Sequence, residues 1–110
     1  MKFYRSSIKT NSYLNVLFSV KHNNKTIAYI NFLKFKTKIN ILYLFVESKY
    51  RRQGHATYLL NRVINYGKIY KISKINLDNM TKPNNKLYLL NGFKYKYENG
   101  PEMVYKLNFH

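Results

Sequence analysis

One change of hydrophobic period, near residue 50, constrains this chain more than any other feature. From Ile39 to Val46 the sequence reads INILYLFV, nearly continuously apolar, as expected of a central strand covered on both faces. From Ala56 the apolar residues fall at Ala56, Leu59, Leu60, Val63 and Ile64, the i, i+3, i+4, i+7, i+8 stripe of a helix. Thr57, Tyr58, Asn61, Arg62 and Asn65 occupy its other face, and Gly67 is expected to stop it. Ile72, Ile75 and Leu77 suggest the next strand, so the strand–loop–helix–strand unit reads as a right-handed crossover.

The flanking segments fill in a sheet. Leu14 to Lys21 and Thr26 to Lys36 are rich in β-branched and aromatic residues, and His22-Asn23-Asn24-Lys25 between them is turn chemistry, so a hairpin is expected. A first strand is expected near Phe3 to Ile8. After the crossover, Pro83 starts a short helix bearing Leu87 and Leu90, which Asn91-Gly92 ends. Phe93, Tyr95 and Tyr97 then alternate with Lys94 and Lys96, Asn99-Gly100-Pro101 turns, and Met103, Tyr105 and Leu107 alternate again, which predicts a closing hairpin. No repeat, low-complexity tract or linker marks a boundary, and 110 residues make one domain. The expectation is one α/β (α+β) domain over 1–110, with a mixed, mostly antiparallel sheet and two or so helices.

Composition narrows the chemistry. With no cysteine, disulfides, thiol nucleophiles and cysteine-based zinc sites are excluded. The imidazoles His22, His55 and His110 match no metal spacing, so no metal is expected. No apolar run is long enough to span a bilayer, and Met1 to Thr10 lacks the apolar segment of a secretory signal; a cytoplasmic location is the expectation. The 20 Lys+Arg against 4 Asp+Glu leave a net charge of +16. Such a surface suits a polyanion (nucleic acid, an anionic surface or a phosphorylated cofactor), or it serves solubility alone.

The loop at the change of period is the informative segment. Ser48-Lys49-Tyr50-Arg51-Arg52-Gln53-Gly54-His55-Ala56 lies between a buried strand and the first turn of a helix. Unpaired backbone N–H groups and the helix dipole make such a place an anion site. Gly54 permits close backbone approach, Ala56 leaves room beside it, and Arg51 and Arg52 add charge. The plainer reading is an ordinary strand-to-helix turn with solvated arginines.

Tyr50-Arg51-Arg52-Gln53-Gly54-His55-Ala56 resembles the acetyl-CoA signature of the GNAT superfamily, with Arg51, Gly54 and Ala56 at its three motif positions. Leu44-Phe45-Val46 looks like that family's cofactor strand, and Leu87-Tyr88 followed by Gly92-Phe93 resembles its second signature. Met103 to Leu107 fits its last strand, so the resemblance covers roughly Ile39 to Leu107. It implies binding of acetyl-coenzyme A by Leu44, Phe45, Val46, Arg51, Arg52, Gln53, Gly54, His55, Ala56 and Thr57. It also implies transfer of the acetyl group to an amine, with Tyr88 giving a proton to the departing thiolate. Thr81 and Asn84 depart from the family's usual residues before that tyrosine, and no pair of helices is evident between the first strand and Leu14.

Direct attack needs a neutral amine, a stabilised carbonyl oxygen and a protonated leaving group. Glu47 is the candidate base, with Asp78 or water as alternatives; either acid also serves as a surface counter-ion. His55 reads as a helix-start residue near phosphate or as a proton carrier. Three functions stay open: N-acetyltransferase, nucleic-acid-binding or -modifying protein on the same scaffold, and non-catalytic acetyl-CoA binder. Basic residues interleaved with aromatics in Phe93-Lys94-Tyr95-Lys96-Tyr97 favour the second, or mark the wet face of an edge hairpin. A homodimer paired through the terminal hairpin is a further expectation.

Overall fold

The computed structural model describes residues 1–78, 85–97 and 102–107. Four strands open the chain: β1 (Lys2–Lys9), β2 (Leu14–His22), β3 (Lys25–Lys34) and β4 (Lys38–Val46). A short 3-10 turn at Ser48–Tyr50 leads to helix α1 (His55–Ile69), then β5 (Lys74–Asp78), helix α2 (Asn85–Leu90), β6 (Lys94–Tyr95) and β7 (Glu102–Lys106). They form one seven-stranded sheet in the order β1-β2-β3-β4-β5-β7-β6, antiparallel throughout except for the parallel pair β4–β5. That one parallel pair is spanned by α1, as a crossover demands.

Local chemistry explains the early strands. The β2–β3 turn is a two-residue one in which Asn23 and Asn24 both take left-handed φ, 52° and 63°, a conformation asparagine tolerates well. Between β1 and β2 no helix intervenes. Thr10 closes the connection instead, its backbone N–H donating to the Tyr13 carbonyl at 2.9 Å and its Oγ1 accepting from the Tyr13 N–H at 3.1 Å.

One face of the sheet is covered by α1. Leu59, Leu60, Val63, Ile64 and Tyr66 turn from the helix onto Val16, Phe18 and Val20 of β2, Ile30 and Phe32 of β3, Ile39 of β4 and Ile75 of β5. Tyr66 meets Phe32 and Phe18 edge-on, with ring centroids 5.3 and 5.7 Å apart. Arg5 lies 5.1 Å over the Tyr66 ring, and Arg62 lies 3.9 Å over Phe3. With few acids available, these cations find π-faces instead of carboxylates.

Several boundaries differ from the sequence reading. Gly67 does not stop α1, which runs to Ile69; Gly67 is buried, and a side chain there would meet Leu107, Ile75 and Ile72 at 3.4–3.7 Å. Those are ordinary contact distances, so Gly67 is an interior residue of the helix packed against the sheet and does not terminate it. Thr26 to Lys36 overreaches, since β3 ends at Lys34 and Phe35 already bonds across the turn to Lys38. Ile72 precedes β5, anchoring the loop by its N–H to the Gly67 carbonyl at 2.8 Å. In the closing hairpin β6 is only Lys94–Tyr95. Thr81, Pro83 and Asn84, and the Asn99-Gly100-Pro101 turn, lie outside the described residues.

Gly92 does end α2, at φ 96°, and Phe93 N–H returns to the Tyr88 carbonyl at 3.0 Å. A Cβ on Gly92 would sit 2.8 Å from the Tyr105 ring. Gly92→Ala should therefore lower unfolding stability by about 2 kcal/mol, from left-handed strain plus displacement of Tyr105. Denaturant unfolding checks this, and an unchanged midpoint would contradict the close approach.

Candidate functional site

The site is opened by a mismatch between β4 and its two neighbours. Against β5, β4 is in register only from Lys38 to Ile41. Against β3 it continues to Val46, with a register shift that sets Asn31 opposite Tyr43 and Phe32 opposite Ile41, leaving Leu42 as the extra residue. A bulge bends its strand and sharpens the twist. The end of β4 thus leaves β5 behind, and among the described residues β3 is its one strand neighbour beyond Ile41.

Into that opening points the N-terminus of α1. The loop reaches it through two left-handed residues, Arg52 at φ 62° and Gly54 at φ 85°. Gly54 is the N-cap and supplies no side-chain hydrogen bond, and the first bond of the helix is Tyr58 N–H to the Gly54 carbonyl at 2.9 Å. The amides of the turn before Tyr58 are therefore not spent inside the helix. With the positive end of a fifteen-residue helix dipole behind them, they form an anion-binding end.

A cleft of about 520 Å³ lies here, lined by the end of β4 (Leu44, Phe45, Val46), by the loop and first turn (Tyr50, Arg51, Arg52, Gly54, His55, Ala56, Thr57) and by Leu87 of α2. Arg51 does more than add charge: its Nε donates to the Val46 carbonyl at 3.0 Å, tying the loop to the end of β4. The His55 ring packs against Tyr50 at 6.4 Å, and its Nε2 is buried with no hydrogen-bond partner among the described residues.

Nine of the residues expected to bind a cofactor line this cleft. Gln53 does not; it is exposed on the loop. Tyr50 and Leu87 do, and neither was on the expected list, although Tyr50 stands in the loop and Leu87 in the second segment that carry the resemblance. The two catalytic candidates lie outside the lining. Glu47 accepts from Lys25 Nζ at 3.1 Å, while its own N–H bonds the Ile27 carbonyl at 2.8 Å. Tyr88 follows Leu87 but is only 4% exposed, packed edge-on against Phe93 at 5.4 Å. Asp78 is the last residue of β5, opposite Glu102 of β7. No cluster of metal-ligating side chains occurs among the described residues.

Burial disfavours the phenolate and pushes the Tyr88 pKa up to about 12. Its folded value lies above the unfolded one near 10, so its contribution to stability is complete below pH 10 and lost as pH rises toward 12. Unfolding free energy should fall by about 2 kcal/mol across that interval because of Tyr88. In Tyr88→Phe the fall should be smaller by that amount; equal slopes would place the hydroxyl in water.

Comparison with known proteins agrees with this geometry. Residues 14–95 match the family model of the acetyltransferase (GNAT) domain. Among solved structures, the chain is similar to the PaiA N-acetyltransferase of Thermoplasma acidophilum in complex with coenzyme A (TM-score 0.73, 20% identity), over 83% of this chain and 60% of that one. It is similar to the ribosomal-protein-S18-alanine N-acetyltransferase of Escherichia coli (TM-score 0.73, 19% identity), over 93% of this chain and 74% of that one. A GNAT family acetyltransferase from Elizabethkingia anophelis with acetyl-CoA bound gives a TM-score of 0.70 at 21% identity, over 84% of this chain and 76% of that one. A search of curated proteins finds no match. These identities speak to the fold alone, and this chain spans 60% of the first of those structures. The family model covers most of the chain, and with the bulged strand, the glycine-capped helix and the cleft between them in place, the protein belongs to the GNAT acetyltransferase family.

Proposed function

We propose that this protein is an N-acetyltransferase that takes the acetyl group of acetyl-coenzyme A and passes it to a primary amine, on a protein lysine, a protein N-terminus or a small molecule. The observation that carries the reading is the cleft at the N-terminus of α1, where Gly54 caps without a side chain and the following amides lie beside the splayed end of β4. Gly54 to Thr57 receive the pyrophosphate on backbone N–H groups, with the Arg51 and Arg52 charges alongside. The apolar lining from Leu44, Val46 and Leu87 accepts an uncharged arm and excludes water from the thioester. A backbone N–H at the end of β4 is the candidate donor to the carbonyl oxygen.

Attack by the amine forms the amide bond and breaks the carbon–sulfur bond, so the thiolate needs a proton and the amine nitrogen must lose one. Tyr88 is the proposed donor. Its hydroxyl stays protonated at neutral pH, and it follows directly on Leu87 in the cleft wall. Glu47 is the proposed acceptor at the end of β4, although its ion pair with Lys25 also suits a plain counter-ion. The +16 surface favours a neutral or acidic acceptor over a polybasic tail, because like charges repel on approach.

Calorimetric titration with acetyl-CoA should give saturable binding of one molecule per chain, persisting at raised salt. Gly54→Glu should lower affinity on the order of a hundredfold by setting a carboxylate against the pyrophosphate. A Cβ at Gly54 meets no protein atom within 4 Å, so a loss would not come from crowding inside the fold. Gly54→Asn, which tolerates the left-handed φ, separates backbone strain from charge. Undiminished binding by Gly54→Glu would refute the assignment of the loop. Tyr88→Phe should lose turnover while keeping cofactor affinity, and unchanged turnover would remove it from the mechanism. With Glu47→Gln, unchanged turnover would assign proton acceptance to water.

A further inference from the structure

The sheet has a second face, and its surface chemistry is not that of a covered sheet. Strand register places Tyr4, Ser19, Tyr29 and Phe45 side by side across β1, β2, β3 and β4, on the face opposite α1. The next row on that face is Ser6, Leu17, Asn31 and Tyr43. Tyr43 is 68% exposed, Phe45 43% and Tyr4 40%. Behind these rings a groove of about 340 Å³ runs between Ile8, Asn15, Leu17, Tyr29 and Tyr43.

Lysines bound the aromatic rows at both ends. Lys2 and Lys21 are directly opposite each other beside Tyr4, and Lys21 Nζ lies 4.7 Å over the Tyr4 ring. At the other end Lys38, Lys74 and Lys106 form an unbroken row across β4, β5 and β7. The two sets are eight residues apart in register, roughly 27 Å along the strands. Like charges directly opposite one another destabilise a sheet. Among the described residues the one ion pair is Lys25 with Glu47, so no carboxylate there neutralises the row.

We propose that this face binds single-stranded nucleic acid, with bases stacked on Tyr4, Tyr43 and Phe45 and phosphates held by the two lysine sets. Charge complementarity selects the occupant. A second copy of the chain would bring another +16 surface against these rows. An apolar partner leaves the lysines unpaired, and a duplex keeps its base faces inside. Only an unpaired strand offers free π-faces and phosphates at regular spacing together. The inference does not depend on acetyl transfer.

Fluorescence anisotropy of the full-length chain with a labelled oligouridylate of about 15 nucleotides tests it, against a duplex of equal length and inorganic polyphosphate as competitors. The single strand should bind most tightly. Tyr4→Ser with Tyr43→Ser should weaken binding on the order of tenfold or more, and Tyr4→Phe with Tyr43→Phe should keep it. Lys74→Gln with Lys106→Gln should reduce the salt slope by about 1.4, two phosphate contacts' worth. Lys68→Gln with Lys86→Gln, an equal charge change at exposed sites on α1 and α2, should leave the slope as it was. The proposal is overturned by no binding of the single strand, equal binding of duplex or polyphosphate, wild-type binding by the serine pair, or equal slope changes in the two lysine pairs. A dimer by light scattering that Tyr43→Ser dissolves would instead assign the face to self-association, and the proposal would fall.

Discussion

The bulge at Leu42 is the constraint on which the site depends. A strand held on both sides to its end has no backbone to offer and no space beside it. Among the described residues, β4 is held on both sides for four residues and then, past the bulge, by β3. The divergence is held from the loop side, where Arg51 Nε donates to the Val46 carbonyl. The cleft is therefore a product of pairing: it exists because one parallel pair ends early inside an otherwise antiparallel sheet. Helix α1, which must cross over to make that pair parallel, brings its N-terminus to the gap.

The crossover also explains how a chain this basic keeps a stable core. Twenty cationic side chains cannot be neutralised by four acids, and burying any of them unpaired would be costly. The structure keeps the α1 side of the sheet apolar and aromatic, and where arginines approach it they lie over rings, as Arg5 does over Tyr66 and Arg62 over Phe3. Burial raises the Tyr66 pKa, the Arg5 charge opposing it. The aromatic content thus does two tasks, filling volume and receiving cations that have no carboxylate partner.

Much of this was readable in the residues. INILYLFV, the basic glycine loop and the Ala56 to Ile64 stripe locate strand, connecting loop and helix within a residue or two, because each rests on a local rule of periodicity or turn geometry. What was not readable depends on partners distant in sequence. Leu42 looks like any apolar strand residue until its register against Asn31 and Phe32 is known. Gly67 carries a helix-stop signal that packing against Ile72, Ile75 and Leu107 overrides. The packing of Tyr88 edge-on against Phe93 depends on how the chain folds back after Gly92. Likewise Lys38, Lys74 and Lys106 lie 32 or more residues apart in sequence and become a row only through strand pairing.

Phe45 joins the two halves of the surface. It lines the cleft at the end of β4, and it also stands in the aromatic row beside Tyr29, with ring centroids 5.5 Å apart. This double position follows from alternation along the strand: neighbours Leu44 and Val46 pack toward the core, so Phe45 faces away. The direct turn at Thr10 to Tyr13 has the same consequence at the other edge, since a two-strand hairpin leaves β1 and β2 as open on this face as β3 and β4. A molecule lying along the rows would thus end beside the mouth of the cleft.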